Sequence, residues 1–138
     1  MTAADIIAAG RPTVLVVGNG MVGHRFVEAA VDRGLLATHR IVVVGEERRR
    51  AYDRVHLSSF FDGATAQSLT LGPDGLYETP GIELVLGDPV ASIDTEGRVA
   101  ATASGRRIPY AACVLATGSS PFVPPIPNRD APGAFVCW

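Results

Sequence analysis

Along the chain, unbroken apolar runs give way to stretches of helical spacing. "TVLVVG", Thr13 to Gly18, is continuous rather than alternating, rich in β-branched residues and stopped by glycine, which predicts a buried strand. The "MVGHRFVEAAVDRGLL" that follows sets Val22, Phe26, Ala29, Ala30 and Val31 at helical spacing and ends at Gly34, a helix with a glycine stop. "RIVVVGEE", Arg40 to Glu47, repeats the buried-strand pattern. Strand, helix and strand in so short a span make a βαβ unit, with parallel strands and a right-handed crossover.

From Arg48 to Gly72 the periodicity weakens into a polar connection with embedded aromatics, and long ordered connections are usually functional. "GLYETPGIELVLGD" predicts a short helix and then a strand over Ile82 to Leu86. The next segment reads as a small antiparallel meander, with turns at Glu96/Gly97 and Ser104/Gly105. An apolar strand, Ala112 to Ala116, is placed to rejoin the parallel sheet, and the tail beyond it, with Pro121, Pro124, Pro125, Pro127 and Pro132, is expected to be extended. The fold class is therefore α/β and Rossmann-like: a parallel sheet with a βαβ start and an inserted antiparallel β-meander. Residues 1–11 are expected to form a flexible N-terminal extension, and residues 12–138 one dinucleotide-binding domain.

Bulk properties narrow the function. At 138 residues there is room for one real core. A net charge of -2, with 19% charged and 47% hydrophobic residues, gives no electrostatic reason to expect nucleic acid or an anionic membrane as partner. The first ten residues lack the basic start of a signal peptide, and no run reaches the roughly 18 apolar residues of a membrane helix. A cytoplasmic location is the expectation. Cys113 and Cys137 are far apart and without metal-ligand spacing; both are read as reduced, Cys113 as a small core residue.

The chemistry starts at Gly18-Asn19-Gly20-Met21-Val22-Gly23, a GxGxxG set between a strand and a helix. Gly18 permits the tight turn, Gly20 lets backbone approach a pyrophosphate, and Gly23 lets helix and strand pack closely, while the helix N-terminus offers free N–H groups. The motif alone is weak. The strand before it, the helix after it and an acid at the right distance make it specific. That acid is Glu46, 23 residues past Gly23 at the end of the second strand, where a carboxylate accepts from ribose hydroxyls; Glu47 competes for the role.

Other groups stay open on the residues alone. Arg48, Arg49 and Arg50 suit a 2′-phosphate or simply form a solvated charge run, and a carboxylate at Glu46 opposes such a phosphate. Tyr52, Arg54 and Ser58 put donors on a loop leaving the Glu46 end of the sheet, as ligand contacts or as loop structure. His56 has no second ligand at metal spacing and reads as structural, and His24 faces either ligand or packing. Thr117-Gly118 closes a buried strand where open α/β sheets bind ligands. There is no catalytic constellation: no GxSxG, P-loop, HExxH or CxxC. No residue is a candidate acid, base, nucleophile or metal ligand, so chemistry must belong to a bound cofactor.

In this order, GxGxxG with Glu46, then "YDRVHLS", then ATG, the motifs resemble the N-terminal FAD segment of the pyridine nucleotide–disulfide oxidoreductase superfamily. "GNGMVGHRF" with "AYDRVHLSSFF" is similar, more narrowly, to the large subunit of assimilatory-type NAD(P)H nitrite reductases, over about Arg11 to Trp138. The resemblance implies FAD as cofactor and NAD(P)H as hydride donor, with iron–sulfur and sirohaem centres, which carry electrons to nitrite, in parts of the family's chains not present here. By position it implies that Gly18, Gly20, Met21 and Gly23 cradle the pyrophosphate and that Glu46 binds the adenosine ribose. Arg54 and the Leu57-Ser58 stretch would lie by pyrophosphate and flavin, Val90 would meet the adenine through its backbone, and Thr117-Gly118 would close over the cofactor. Ser59 stands where ferredoxin reductases of the superfamily often carry a lysine.

The implied partners are the remaining domains of the same polypeptide and a small nitrite reductase subunit. Two alternatives remain: an FAD-dependent rubredoxin or ferredoxin reductase or NADH oxidase, and a non-catalytic dinucleotide-binding module.

Overall fold

The computed structural model describes residues 10–72 and 75–136. Cys137 and the first nine residues of the expected N-terminal extension lie outside them. Four parallel strands form the central sheet, in the order β3-β2-β1-β7: β1 (Thr13–Val17), β2 (Arg40–Gly45), β3 (Ile82–Leu86) and β7 (Ala112–Leu115). The helix α1 (Met21–Asp32) crosses from β1 to β2. Strands β4 (Val90–Asp94), β5 (Val99–Thr102) and β6 (Arg107–Pro109) make a separate antiparallel sheet. The expected α/β class with a βαβ start and an inserted meander is the observed one.

Why β1 and β2 are continuously apolar is visible in the packing. Val16, Ile41 and Val43 point to one face and meet Val27 and Ala30 of α1 together with Leu76 and Tyr77. Leu15, Val17, Val42 and Val44 point to the other and meet Ala100 and Ile108 of the meander. A strand covered on both faces has no polar side to show, so alternation disappears. The result is three layers: helix, parallel sheet, meander.

Two local expectations are corrected. Val22 is 71% exposed, and the buried stripe of α1 is Gly23, His24, Val27 and Ala30. The helical pattern was right but its inner face is turned by about one residue, because Gly23 and not a branched side chain must sit against the turn. The short helix expected in "GLYETP" is a run of turns over 75–80, bounded by Gly75 and Gly81, both at positive φ. The short helices lie instead in the connection before it, a 3-10 turn over Leu57–Asp62 and one α turn over Ala66–Leu69 capped by Thr65. That connection is closed on itself: Asp53 N–H donates to Leu69 O at 2.7 Å and Leu71 N–H to Ala51 O at 2.8 Å.

Candidate functional site

The carboxyl ends of β1, β2 and β7 finish at one level. Gly18 N–H donates to Val44 O and Ala116 N–H donates to Val17 O, both at 2.8 Å. β2 and β7 flank β1 on opposite sides, so the chain order reverses at β1. Open α/β sheets bind ligands outside the strand ends at such a point. A cleft of about 720 Å³ lies there, bounded by the Gly18–Val22 turn, by Gly45–Glu47 after β2, and by Leu115–Pro121 after β7. The size suits a cofactor or substrate site.

The turn is built by its glycines. Gly18 adopts φ +109°, and a Cβ there would lie 2.1 Å from Ala116 O. A Cβ on Gly23 would lie 2.3 Å from Gly18 O, so α1 crosses β1 at a distance only glycine allows. At Gly20 a Cβ would meet nothing within 4 Å, which leaves bare backbone facing open space. Gly20 is the N-cap of α1, it supplies no side-chain cap, and no acid occupies the first turn. The N–H groups and the dipole of the helix are therefore unspent at the cleft, the chemistry an anion needs.

Glu46 and Glu47 both border the cleft, but they differ in occupation. Glu47 is engaged: Arg54 donates to its Oε1, and Tyr52 Oη donates to the same atom at 3.3 Å. Arg54 also lies over the Tyr52 ring, 5.3 Å from its centroid. Partial burial, followed by the bond to Glu47, holds the Tyr52 phenol above its ordinary pKa. Glu46 makes no side-chain hydrogen bond or ion pair among the described residues and is the free carboxylate at the end of β2.

The sequence-derived residues divide accordingly. Gly18, Gly20, Met21, Glu46, Arg54, Thr117 and Gly118 come together around the cleft. Gly23 lies beneath the turn and supports it. Ser58, on the exposed 3-10 turn, and Val90, at the start of β4 and packed against the sheet–meander core, lie outside the lining. Of the three arginines only Arg49 reaches the cleft. Arg48 packs at Gly87, and Arg50 turns over the Tyr77 ring at 5.0 Å and pairs with Glu78 at 3.4 Å.

Two of the three histidines, His24 and His56, make structural contacts. His24 is 3% exposed, with Nδ1 2.8 Å from Tyr77 Oη, and burial pulls its pKa below 6.5 despite nearby Glu28. His56 Nδ1 lies 2.6 Å from Asp53 Oδ2, three residues before it, a carboxylate partner that the sequence reading missed. Among the described residues no group of three or more His, Cys, Asp or Glu is placed to hold a metal. No helix among them is long and apolar enough to cross a membrane. Cys113 carries no disulfide, and burial raises its thiol pKa.

Sequence reasoning also missed Asn19, which carries a side chain into the heart of the turn, and Tyr77, whose hydroxyl donates to Asn19 Oδ1 at 3.1 Å. No periodicity flags a contact 58 residues long. Gly45, bordering the cleft with its Cα near Asn19, was legible only as a glycine closing a strand.

A sheet reversing at β1, with a glycine turn and free helix N–H groups opposite a carboxylate, defines a dinucleotide-binding α/β domain of the Rossmann type. Residues 12–136 match the family model described as pyridine nucleotide-disulphide oxidoreductase, and the chain belongs to that family. Within it, the chain is 50% identical over 126 residues to the nitrite reductase [NAD(P)H] large subunit of Klebsiella oxytoca, covering 91% of this chain and 13% of that protein. It is 44% identical to the nitrite reductase (NADH) large subunit of Escherichia coli, covering 88% of this chain and 14% of that one. The chain thus spans about one seventh of these relatives. Among solved structures it is similar to the ferredoxin reductase for the CYP199A2 system of Rhodopseudomonas palustris, at a TM-score of 0.77 and 31% identity, over 88% of this chain and 30% of that one.

Proposed function

We propose that this chain binds FAD in the cleft at the ends of β1, β2 and β7, and that it is the electron-entry segment of an NAD(P)H-dependent nitrite reductase. The observation that carries the cofactor reading is the bare backbone of Gly20 at the uncapped start of α1, with the unpaired carboxylate of Glu46 across the cleft. The residues present fit the group. Gly18, Gly20 and the first N–H groups of α1 receive the pyrophosphate, Glu46 accepts from the adenosine ribose, and Arg54 with Thr117-Gly118 borders the remaining length. Ser58 and Val90 would take part only as the more distant contacts that the family resemblance implies.

The cofactor, when bound, supplies the acceptance of hydride from NAD(P)H and the release of single electrons. The chain's own residues hold and orient it and provide no acid, base or nucleophile. Iron–sulfur and sirohaem chemistry would belong to other domains of a longer polypeptide, with a small subunit as a further partner. Identity of 50% and 44% to nitrite reductase large subunits favours nitrite as final acceptor. The likeness to a ferredoxin reductase favours a second reading, in which the electrons leave to a ferredoxin.

Titrating the purified chain with FAD and following flavin fluorescence tests the binding claim, and saturable one-to-one quenching is the expected result. Sequencing the gene past the Trp138 codon, then assaying NADH oxidation by the whole product with nitrite or with ferredoxin, separates the two readings. Nitrite-dependent turnover supports the first; turnover with ferredoxin alone replaces it by the second.

A further inference from the structure

Below the Gly18–Gly20 turn runs a chain of side-chain hydrogen bonds that the cofactor contacts do not use. Tyr77 Oη donates to Asn19 Oδ1 at 3.1 Å, and Tyr77 Oη also lies 2.8 Å from His24 Nδ1. The Tyr77 hydroxyl thus stands between two side chains, the Asn19 amide on one side and the His24 imidazole on the other. The imidazole is buried on α1, its Nε2 unpartnered and 3.5 Å from Glu28 Oε1, and the space beside its ring is taken by the backbone at Gly72. Tyr77 is itself buried, wedged between α1 and β3, with Arg50 over its ring. Nothing in this anchor is free to move independently of the core.

Asn19, by contrast, has one hold. Its Oδ1 is taken by Tyr77, its Nδ2 is sealed from solvent with no partner among the described residues, and its Cβ abuts Gly45. A sealed Nδ2 cannot reach a ligand, so the amide acts on the turn that carries it. Losing the Tyr77 hydroxyl would leave both polar ends of a half-buried amide without a side-chain partner, and the backbone on either side of it is glycine, the residue least able to resist a shift.

We propose that Tyr77 is a positioning residue for the dinucleotide site: anchored by His24 beneath α1, its hydroxyl holds Asn19 and thereby keeps the Gly18–Gly20 turn in the shape that receives the pyrophosphate. The inference rests on the FAD-binding reading of that turn. It adds to it a residue from the helix-covered face of the sheet, outside the glycine motif and outside the cleft lining.

A double-mutant cycle on the full 138-residue chain tests it, with FAD affinity as one readout and solvent exchange of the Asn19 side-chain amide and the Gly20 backbone amide, by ¹⁵N NMR of the ligand-free chain, as the other. Tyr77→Phe and Asn19→Ala are each expected to weaken FAD binding ~5-fold, the scale of one hydrogen bond, with the double variant no weaker than the worse single one. Tyr77→Phe is also expected to speed exchange at Asn19 and Gly20. A multiplicative loss in the double variant, or a silent Tyr77→Phe, overturns the proposal. If the wild-type chain does not bind FAD, the functional reading falls, and exchange alone decides the brace: faster at both amides in Tyr77→Phe supports it, unchanged overturns it. Should Tyr77→Phe not fold, Asn19→Leu, which removes the polar atoms without emptying the core, is expected to show the same loss and the same faster Gly20 exchange; wild-type behaviour there overturns the proposal.

Discussion

Gly23 sits directly under Gly18: a Cβ on Gly23 would lie 2.3 Å from the Gly18 carbonyl oxygen. Two glycines five residues apart thus make one contact between the first turn of α1 and the end of β1. Substitution at either is expected to act on folding. Gly23→Ala should cost about 1–3 kcal/mol through overpacking, and Gly18→Ala should add strain at φ +109° to its clash with Ala116 O. Gly20 is different, because its side-chain position is empty and its φ is -93°. Gly20→Ala is expected to shift stability by less than about 1 kcal/mol while blocking approach of the pyrophosphate. Thermal melts and FAD titration on the three variants check this split, which is inverted if Gly20→Ala unfolds or Gly23→Ala melts like wild type.

The two neighbouring glutamates should separate in the same way. Glu46→Ala removes an unpaired carboxylate at the cleft and is expected to lower FAD affinity about tenfold, the scale of a charge-assisted hydrogen bond, with an unchanged melting temperature. Glu47→Ala releases Arg54 and Tyr52 and should return the Tyr52 phenol toward its ordinary pKa. Ultraviolet titration of tyrosinate in the two variants reads that difference, and a Tyr52 shift in Glu46→Ala would reverse the assignment.

Acid is expected to weaken the fold through His24. Burial holds its folded pKa below the unfolded 6.5, so below about pH 6.5 the unfolded chain takes up the proton first. The stability belonging to neutral His24 is fully present above pH 6.5 and is lost as pH falls through the depressed folded value. Urea melts between pH 5 and 8 should show the decline, and it should flatten in His24→Gln. An equal decline in that variant would assign it to other groups.

Leu15 is fully buried between the parallel sheet and the meander. Leu15→Ala is expected to cost about 2–5 kcal/mol and to expose the layer joined by Ala100 and Ile108. Amide exchange should quicken across β4, β5 and β6 more than across α1. Uniform quickening would mean that the two layers do not separate.

The strands and the glycine turn could be read from the chain because their causes are local. β1 and β2 announce themselves by unbroken β-branched runs, α1 by its spacing, and the Gly18–Gly23 turn by residue type, since only glycine allows the approaches found there. Glu46 was legible because strand length fixes where its end falls. The short helix expected before β3 failed for a related reason: Gly75 and Gly81 both take positive φ, and Pro80 turns the residue before it away from helical backbone.

Tertiary structure decided what depends on contacts between distant residues. Whether His24 faces ligand or core, which of three adjacent arginines meets the cleft, and which of two adjacent glutamates stays free are settled by Tyr77, Glu78 and Arg54. None of these partners is marked by periodicity, because one hydrogen bond across 58 residues leaves no trace in spacing. The sequence by itself determined the elements and the glycine turn, through backbone sterics and hydrophobic pattern. Folding chose which polar side chains are spent on one another, since a buried donor must find its acceptor wherever the chain happens to bring it.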